Sequence, residues 1–286
     1  MRIALLGLGE VGRVFAEEFA HHDLIAWDTA FIDTNSPAHH NARDLGVHCA
    51  TSAADAVYGA DLTICAVTAA HTLSAAQAAA PGFDRLGSWF FDLNSSSPQR
   101  KICAADVIEA AGGRYVEAAL MSPINPKRLG APFLLGGPHA ADFLDIAATL
   151  GMTEATVFSE ELGKAAATKL CRSVIVKGLE SLLGESLLAA RRYGVEREVL
   201  DSLSNILPPA DWDAIATYFI SRSLLHGTRR AEEMVEAAAT VADVGVDPWM
   251  AEAAVLRQRW AAPQGESIDA DLLIMLDRIL ATTNNP

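Results

Sequence analysis

The opening stretch RIALLGLGEVG, Arg2–Gly12, decides the fold of the N-terminal half of this sequence. Its first part, Arg2–Leu6, is a short apolar run that predicts a buried strand ending in glycines. The part that follows matches the pattern G-x-G-x-x-G, and Val11–Ala20 then has the apolar spacing of a helix. A strand, this glycine pattern and a helix in that order are the context in which the pattern binds a dinucleotide.

Each glycine of the pattern has a physical role. Gly7 permits a tight turn, Gly9 lets the backbone approach a pyrophosphate, and Gly12 allows the helix to pack closely. The helix N-terminus offers N–H donors and a partial positive charge to the phosphates. The predicted pyrophosphate site comprises Gly7, Leu8, Gly9, Glu10, Val11 and Gly12. The alternative is an ordinary strand–turn–helix with chance glycines.

Asp28 selects the nucleotide. It lies 19 residues after Gly9, at the end of a second apolar run, Leu24–Trp27, where a ribose-binding acid is expected. A carboxylate there accepts hydrogen bonds from the ribose hydroxyls of NAD and repels the 2′-phosphate of NADP. No arginine follows immediately, so we predict NAD rather than NADP. The alternative is that Asp28 only ends the strand.

Short apolar runs alternate with helical stretches as far as about residue 158. The further runs are Leu62–Val67, Trp89–Leu93, Tyr115–Leu120 and Phe133–Leu135. This alternation predicts an α/β domain, a Rossmann-type doubly wound parallel sheet with helices on both faces.

Only helical patterns follow that point. The predicted helices span Glu160–Arg192, Glu196–Asn205, Asp211–Leu225, Arg229–Val244 and Pro248–Trp260, and Pro208-Pro209 punctuates them. We therefore predict an N-terminal α/β domain over 1–158 and an all-α domain over 159–286.

Composition excludes several classes of protein. With 286 residues, 51% of them hydrophobic and 20% charged, the chain can bury a core and is not disordered. Its net charge of −14 repels phosphate backbones and anionic lipid, so we expect neither nucleic acid nor a membrane as partner. We expect no signal peptide, and the Cys and His residues show no metal-ligand spacing. The four scattered cysteines, Cys49, Cys65, Cys103 and Cys171, predict free, mostly buried thiols in the cytoplasm.

Four segments resemble landmarks of one family. They are GLGEVGRVFA from Gly7, DLNSSSP from Asp92, VEAALMSP from Val116 and GKAAATKLCRS from Gly163. In this order they are similar to the β-hydroxyacid dehydrogenases of the 6-phosphogluconate dehydrogenase-like superfamily. The later KGLESLLGESLLAARRYGV and HGTRRAEEM resemble a branch whose helical domain has no known function. The resemblance covers nearly the whole chain.

The resemblance implies an NAD(P)-dependent oxidoreductase acting on a small hydroxy acid, alcohol or carbonyl compound. It also implies that the helical domain binds substrate and forms a homodimer. Val67 and Thr68 would line the cofactor ribose, Asn94 and Ser95 would lie beside the nicotinamide, and Lys169 would be the catalytic lysine.

Two departures from the family pattern concern the substrate. Met121 replaces the serine that grips the substrate carboxylate, Ser122 stands on a glycine, and Pro123 removes an N–H donor. Arg172 and Ser173 stand where the family has a pair of asparagines. We expect Met121 and Ser122 to contact a substrate that is not a simple 3-hydroxy acid.

Lys169, Ser173 and Lys177 are spaced i, i+4 and i+8, which puts them on one face of the long helix. Two lysines in apolar surroundings lower each other's pKa, and such a lysine exchanges protons near neutral pH. We predict Lys169 as general acid/base, assisted by Ser173 and Lys177. The alternative is a solvated face on which Lys177 pairs with Glu180.

His226 and Arg229 lie at a predicted helix start. They could bind an anionic substrate group, or they could belong to an ordinary exposed helix end.

The helical domain carries more apolar faces than a domain of its size can bury, which predicts a homodimer. Two other functions remain open at this stage. One is an imine reductase-like enzyme, and the other is a dinucleotide-binding sensor without turnover.

Overall fold

The structure, a computed structural model, describes residues 1–203 and 211–283. By its internal packing the chain divides into two units, Met1–Leu170 and a second that starts at Cys171. The first unit contains a sheet with helices on both faces, and the second is helical where it is described. The predicted α/β class with an all-α C-terminal region is confirmed.

The first unit is built on an eight-stranded sheet. In chain order its strands are β1 (Arg2–Leu6), β2 (Asp23–Trp27), β3 (His48–Cys49), β4 (Leu62–Cys65), β5 (Trp89–Asp92), β6 (Arg114–Leu120), β7 (Phe133–Gly136) and β8 (Ala155–Ser159). Their order across the sheet is β3-β2-β1-β4-β5-β6-β7-β8, and all neighbours are parallel except β6 and β7. The strand order reverses between β1 and β4: β2 and β3 lie on one side of β1, and β4 begins the series on the other side. Doubly wound sheets bind their ligands at this switch point.

Both faces of this sheet are covered by helices. They are α1 (Glu10–Glu18), α2 (Pro37–Leu45), α3 (Ala53–Val57), α4 (Thr72–Ala79), α5 (Pro98–Ala110) and α6 (Ala140–Thr149). The helices on the two faces form two separate hydrophobic cores with the sheet. In β1, Ile3 and Leu5 belong to one core, and Ala4 and Leu6 belong to the other. A strand buried on both faces needs apolar residues at every position.

Two strands gave no sequence signal for physical reasons. β3 is only two residues long, and both residues are exposed at the sheet edge. β8 forms the other edge, where Val157 and Phe158 are exposed. The antiparallel pairing of β7 was also not predicted, because strand direction leaves no trace in so short a run.

The helical region comprises α7 (Lys164–Tyr193), α8 (Glu196–Leu203), α9 (Trp212–Ala242), α10 (Trp249–Ala261) and α11 (Leu272–Thr283). Helix α7 begins after Gly163, not at Glu160, because Gly163 has a left-handed φ of +88°. The first unit extends to Leu170, and the boundary predicted near residue 158 falls at the end of β8. The predicted end of α8 at Asn205 and the Pro208-Pro209 break lie outside the described residues.

The two helices predicted over 211–244 agree with a break in the structure. Helix α9 consists of two helical segments joined by a kink at His226, where φ is −125° and ψ is 15°. The kink lies beside Gly227, where a Cβ atom would lie 2.6 Å from the carbonyl oxygen of Gln258. Glycine at this position therefore allows close packing of two helices beside the break in α9.

Among the helices of residues 1–203 and 211–283, none combines the length and apolar character that a membrane span requires.

Candidate active site at the sheet edge

The register of the sheet brings the predicted cofactor residues to one edge. Leu6 is aligned with Trp27 on one side and Cys65 on the other, and Cys65 is aligned with Asp92. Asp92 is aligned in turn with Glu117 of β6. The segments that follow β1, β2, β4 and β5 therefore leave the sheet side by side.

The three glycines of the turn have different surroundings. Gly7 has a φ of +91°, and a Cβ there would lie 2.5 Å from the carbonyl oxygen of Ala66. A Cβ at Gly12 would collide with the carbonyl oxygen of Gly7. Gly9 differs from both, because a Cβ there would meet nothing within 4 Å. The fold itself therefore requires Gly7 and Gly12, whereas Gly9 leaves open space above the turn.

Gly9 is the N-cap of α1, and no side chain caps this helix. The start of α1 is exposed at Glu10, while the Leu8 side chain is buried in the core and contributes only backbone to the turn. Helix N-termini of this kind bind phosphate through backbone N–H groups. The residues present therefore fit the pyrophosphate of a dinucleotide.

Asp28 lies against the glycine turn. Its Oδ2 accepts a hydrogen bond from Leu8 N at 2.8 Å, and its Oδ1 accepts one from Ala30 N at 2.9 Å. Two backbone donors fix the carboxylate at the end of β2, half-buried, with lone pairs remaining for a ribose hydroxyl. The nearby cation of α1, Arg13, is bound to Glu17 and to Asn41.

The segments after β4 and β5 are joined by Asn94. Its Oδ1 accepts a hydrogen bond from Val67 N at 2.7 Å, and its Nδ2 lies 3.3 Å from Cys65 Sγ. Asn94 is 4% exposed, whereas Ser95 beside it is half-buried. Thr68 is exposed, and its hydroxyl is 2.8 Å from His71 Nδ1.

A buried cluster under Asn94 was not predicted from the sequence. Asp92 Oδ1 is 2.9 Å from Lys101 Nζ, and Asp92 Oδ2 accepts a hydrogen bond from Tyr115 at 2.5 Å. All three side chains are at most 1% exposed. Burial, and then the charge of Asp92, raises the pKa of Tyr115 well above its usual range, so the phenol stays protonated and donates. Burial likewise raises the pKa of Cys65 to about 12.

Glu117 connects the sheet edge to α7. Its buried carboxylate accepts hydrogen bonds from Gly163 N at 2.6 Å, Ala165 N at 2.8 Å and Ala166 N at 3.2 Å. These are orphan donors at the first turn of a helix, where a carboxylate is also favoured by the helix dipole. The contact fixes the turn of α7 that precedes Lys169, which is half-buried.

Ser173 and Lys177 lie farther along α7 and are buried. Lys177 Nζ is 3.1 Å from Ser173 Oγ and 2.6 Å from Glu233 Oε2 on α9. Neither the catalytic interpretation of Lys177 nor its alternative, a pair with Glu180, included the carboxylate of Glu233. Glu180 pairs with Arg230, not with Lys177 as the alternative had it. An ion-paired lysine favours a structural role, and the catalytic role of Lys177 stays a prediction.

The predicted substrate residues follow β6 or lie on α9. Met121 and Ser122 directly follow β6 and are half-buried, and the Ser122 hydroxyl bonds to the carbonyl of Pro123 at 3.0 Å. His226 lies at the kink of α9 and Arg229 is exposed on the same helix. A helical segment starts after this kink, as predicted, and the role of His226 and Arg229 in binding an anionic substrate group stays a prediction.

The cysteines differ from expectation. All four are free, but only Cys65 is buried; Cys49 and Cys171 are exposed and Cys103 is intermediate. Cys49 is exposed because it lies on the edge strand β3. Within the described ranges, no group of three or more His, Cys, Asp or Glu side chains is arranged to hold a metal ion.

Comparison with known proteins agrees with this geometry. Residues 2–157 match the NAD-binding domain of 6-phosphogluconate dehydrogenase, and residues 190–261 match a domain of unknown function, DUF1932. A conserved hypothetical protein from Sinorhizobium meliloti is 32% identical, with a TM-score of 0.72 over 97% of this chain and 96% of that one.

Two further structures are similar. A conserved protein of unknown function, described as structurally similar to 3-hydroxyacid dehydrogenases, is 29% identical, with a TM-score of 0.67 over 93% of this chain and 99% of that one. The 3-hydroxyisobutyrate dehydrogenase of Mycobacterium tuberculosis has the same fold, with 19% identity and a TM-score of 0.72 over 98% of each chain. The chain belongs to the family defined by the NAD-binding domain of 6-phosphogluconate dehydrogenase, and it carries the helical DUF1932 domain in addition.

Proposed function

We propose that this protein is an NAD-dependent oxidoreductase that transfers a hydride between nicotinamide and a small hydroxy acid, alcohol or carbonyl compound. The observation that carries the proposal is the tie between Glu117 and the start of α7. It joins the edge that fits a dinucleotide to the helix that bears Lys169.

A second contact supports the same arrangement. A Cβ at Gly163 would lie 2.8 Å from Cβ of Pro98, which begins α5 directly after the Asn94–Ser97 segment. The segment assigned to the nicotinamide and the N-terminus of α7 are therefore packed together. Lys169 follows Gly163 by six residues, or about 9 Å along a helix.

The bound nicotinamide supplies the hydride acceptor for oxidation, or the donor for reduction. The chain supplies the rest. Gly9 and the start of α1 hold the pyrophosphate, and Asp28 holds the adenosine ribose. Lys169 Nζ takes the hydroxyl proton in oxidation and returns it to the developing alkoxide in reduction. The small residues beside Lys169, Ala165 and Ala166, are buried and keep water from that side of the helix.

We propose NAD as the preferred cofactor because Asp28 is fixed by Leu8 N and Ala30 N. The 2′-phosphate of NADP would meet this carboxylate. Arg13, the first cation of α1, is engaged by Glu17 and Asn41 and is not presented to a phosphate.

Replacement of Lys169 tests the proposal. A screen of hydroxy acids, polyols, aldehydes and imines with NAD(H) first identifies a substrate. Lys169→Ala should then lower turnover about 10²–10⁴-fold, the usual effect of a positioned acid–base group, and leave NADH affinity nearly unchanged. Lys169→Arg should also be poor, because arginine stays protonated. Wild-type turnover by both variants would exclude this mechanism, and the absence of any turnover in the screen would favour a sensor.

We also propose that the helical unit forms a homodimer. Ile175, Leu179 and Leu182 are spaced i, i+4 and i+7 on α7 and are 67%, 38% and 54% exposed. An apolar stripe on a helix needs a covering surface. A second copy supplies one, because a twofold axis pairs the same patch on both chains.

A further inference from the structure

Asn94 stands at a position that the sequence assigns to the nicotinamide, yet its side chain is used inside the protein. Its amide oxygen is bound to Val67 N and its amide nitrogen to Cys65 Sγ. Its own backbone N–H donates to Asp92 Oδ1 at 2.8 Å. Asn94 thus joins the end of β4 to the end of β5.

The base of this contact is the buried cluster of Asp92, Lys101 and Tyr115. Asp92 Oδ1 serves Asn94 N and Lys101 Nζ together, and Lys101 Nζ also donates to the Asp92 carbonyl oxygen at 3.0 Å. Lys101 comes from α5 and Tyr115 from β6. Four elements, β4, β5, β6 and α5, are therefore connected through Asp92 and Asn94.

Stability alone does not explain such a cluster. A buried ion pair is often no more stabilising than apolar side chains of the same volume, because both charges must be removed from water. A fully bonded polar cluster does fix one geometry. Here the fixed segments are Val67–Thr68, assigned to the cofactor ribose, and Asn94–Ser95, assigned to the nicotinamide.

We propose that Asn94 is a positioning residue that locks these two segments into one rigid platform, with Asp92, Lys101 and Tyr115 as its base. Ser95 is then the residue of the pair that contacts the nicotinamide half. Its hydroxyl is half-buried and has no hydrogen-bond partner in the part of the chain that the structure describes. The proposal rests on the cofactor binding proposed above.

Two ligands separate the contacts to the nicotinamide from the contacts to the rest of the cofactor. ADP-ribose has every part of NAD except the nicotinamide, so the ratio of the NADH and ADP-ribose affinities, measured by calorimetric titration, isolates the contacts to the nicotinamide ring. Asn94→Ala should weaken NADH binding about tenfold, the scale of one hydrogen bond, and ADP-ribose binding less than about twofold. A loss of general stability would weaken both ligands alike.

Asn41→Ala is the matched control. Asn41 Nδ2 donates to the Leu8 carbonyl oxygen at 2.8 Å, so this variant also removes an amide contact to backbone, but at the glycine turn. It should change NADH and ADP-ribose binding by the same factor.

Tyr115→Phe is a second test variant, which removes a single hydroxyl from the base of the platform. It should shift the ratio of NADH affinity to ADP-ribose affinity about threefold, in the same direction as Asn94→Ala. It keeps the test valid if Asn94→Ala does not fold.

The outcomes are distinguishable. A selective loss of NADH affinity in Asn94→Ala or Tyr115→Phe supports the platform. Equal changes for both ligands, or no change, overturn it while leaving the proposed function intact. If wild-type protein binds neither NADH nor ADP-ribose, the proposed function and the platform both fail.

Discussion

The edge of the sheet and the interior of the helical unit both bury charged side chains, and they satisfy them differently. At the edge, both carboxylate oxygens of Asp92 are bonded, to Lys101, Tyr115 and backbone. In the helical unit, Glu180 Oε2 is bound by Arg230 and by Gln258 at 3.1 Å. Glu180 Oε1, Arg230 Nε and Gln258 Oε1 find no partner among the described residues.

This difference indicates what each region does. A fully bonded cluster holds one geometry, whereas a partly bonded one lowers stability and responds to protonation. Substitutions at the sheet edge should therefore act mainly on ligand binding. Substitutions in the helical interior should act on stability and its pH dependence.

The largest effect is expected at the glycine turn. Gly9→Val should reduce NADH affinity at least about 100-fold, because its side chain fills the space above the turn where the pyrophosphate binds. The melting temperature should change little, since a Cβ at Gly9 meets nothing within 4 Å. Energy transfer from protein to nicotinamide and thermal melting measure the two quantities.

Gly12→Val is the matched control for that experiment. Its side chain would collide with the carbonyl oxygen of Gly7, so the variant should be strongly destabilised. If Gly9→Val binds NADH normally, the turn is structural only and the contrast with the helical interior disappears.

Cofactor choice should show a smaller effect. Wild-type protein should bind NADH at least several-fold more tightly than NADPH, because the Asp28 carboxylate repels a 2′-phosphate. Asp28→Ser should lower this preference about tenfold. Tighter binding of NADPH by the wild type would mean that Asp28 faces away from the ribose.

The outer surface of the helical unit gives a third test. Leu182→Glu places a charge in the exposed stripe of α7 and should weaken the proposed dimer about tenfold or more, as desolvating one charge at an interface does. Sedimentation equilibrium measures it. The control variant Glu198→Gln, at an exposed position outside the stripe, should leave association unchanged. A wild-type monomer at micromolar concentration would contradict the proposal.

Local patterns in the sequence were sufficient to predict the sheet edge. Residues close by in the sequence determine the apolar run of β1, the glycine turn and the position of Asp28. The parallel strands then bring these features together at one edge. The cluster under Asn94 was missed because Lys101 sits on a helix whose spacing alone does not distinguish a buried lysine from an exposed one. The feature of the sequence that could have indicated this cluster is the polar segment that follows β5.

The helical interior was less predictable. Lys177 has Glu180 within one turn, and local spacing therefore favours that pair, but the structure pairs Lys177 with Glu233 of α9. Such a pairing depends on how two helices pack, and 56 residues separate the partners in the sequence. The packing role of Gly227 was hidden for the same reason, since its close neighbour is the backbone of Gln258.

The smallest effect is expected in the pH dependence of stability. Burial raises the pKa of Glu180 above its usual value, and the opposing effect of Arg230 only reduces this shift. Between the unfolded and the folded pKa the native state holds a proton that the unfolded state has lost, so stability falls as pH rises, by about 1.4 kcal/mol per pH unit. Glu180→Gln removes this proton exchange. The free energy of unfolding of wild type minus that of Glu180→Gln, from urea titrations at pH 4 to 7, should therefore decrease as pH rises. A difference that stays constant or increases would show that the Arg230 contact outweighs burial, and that the helical interior satisfies its charges as fully as the sheet edge does.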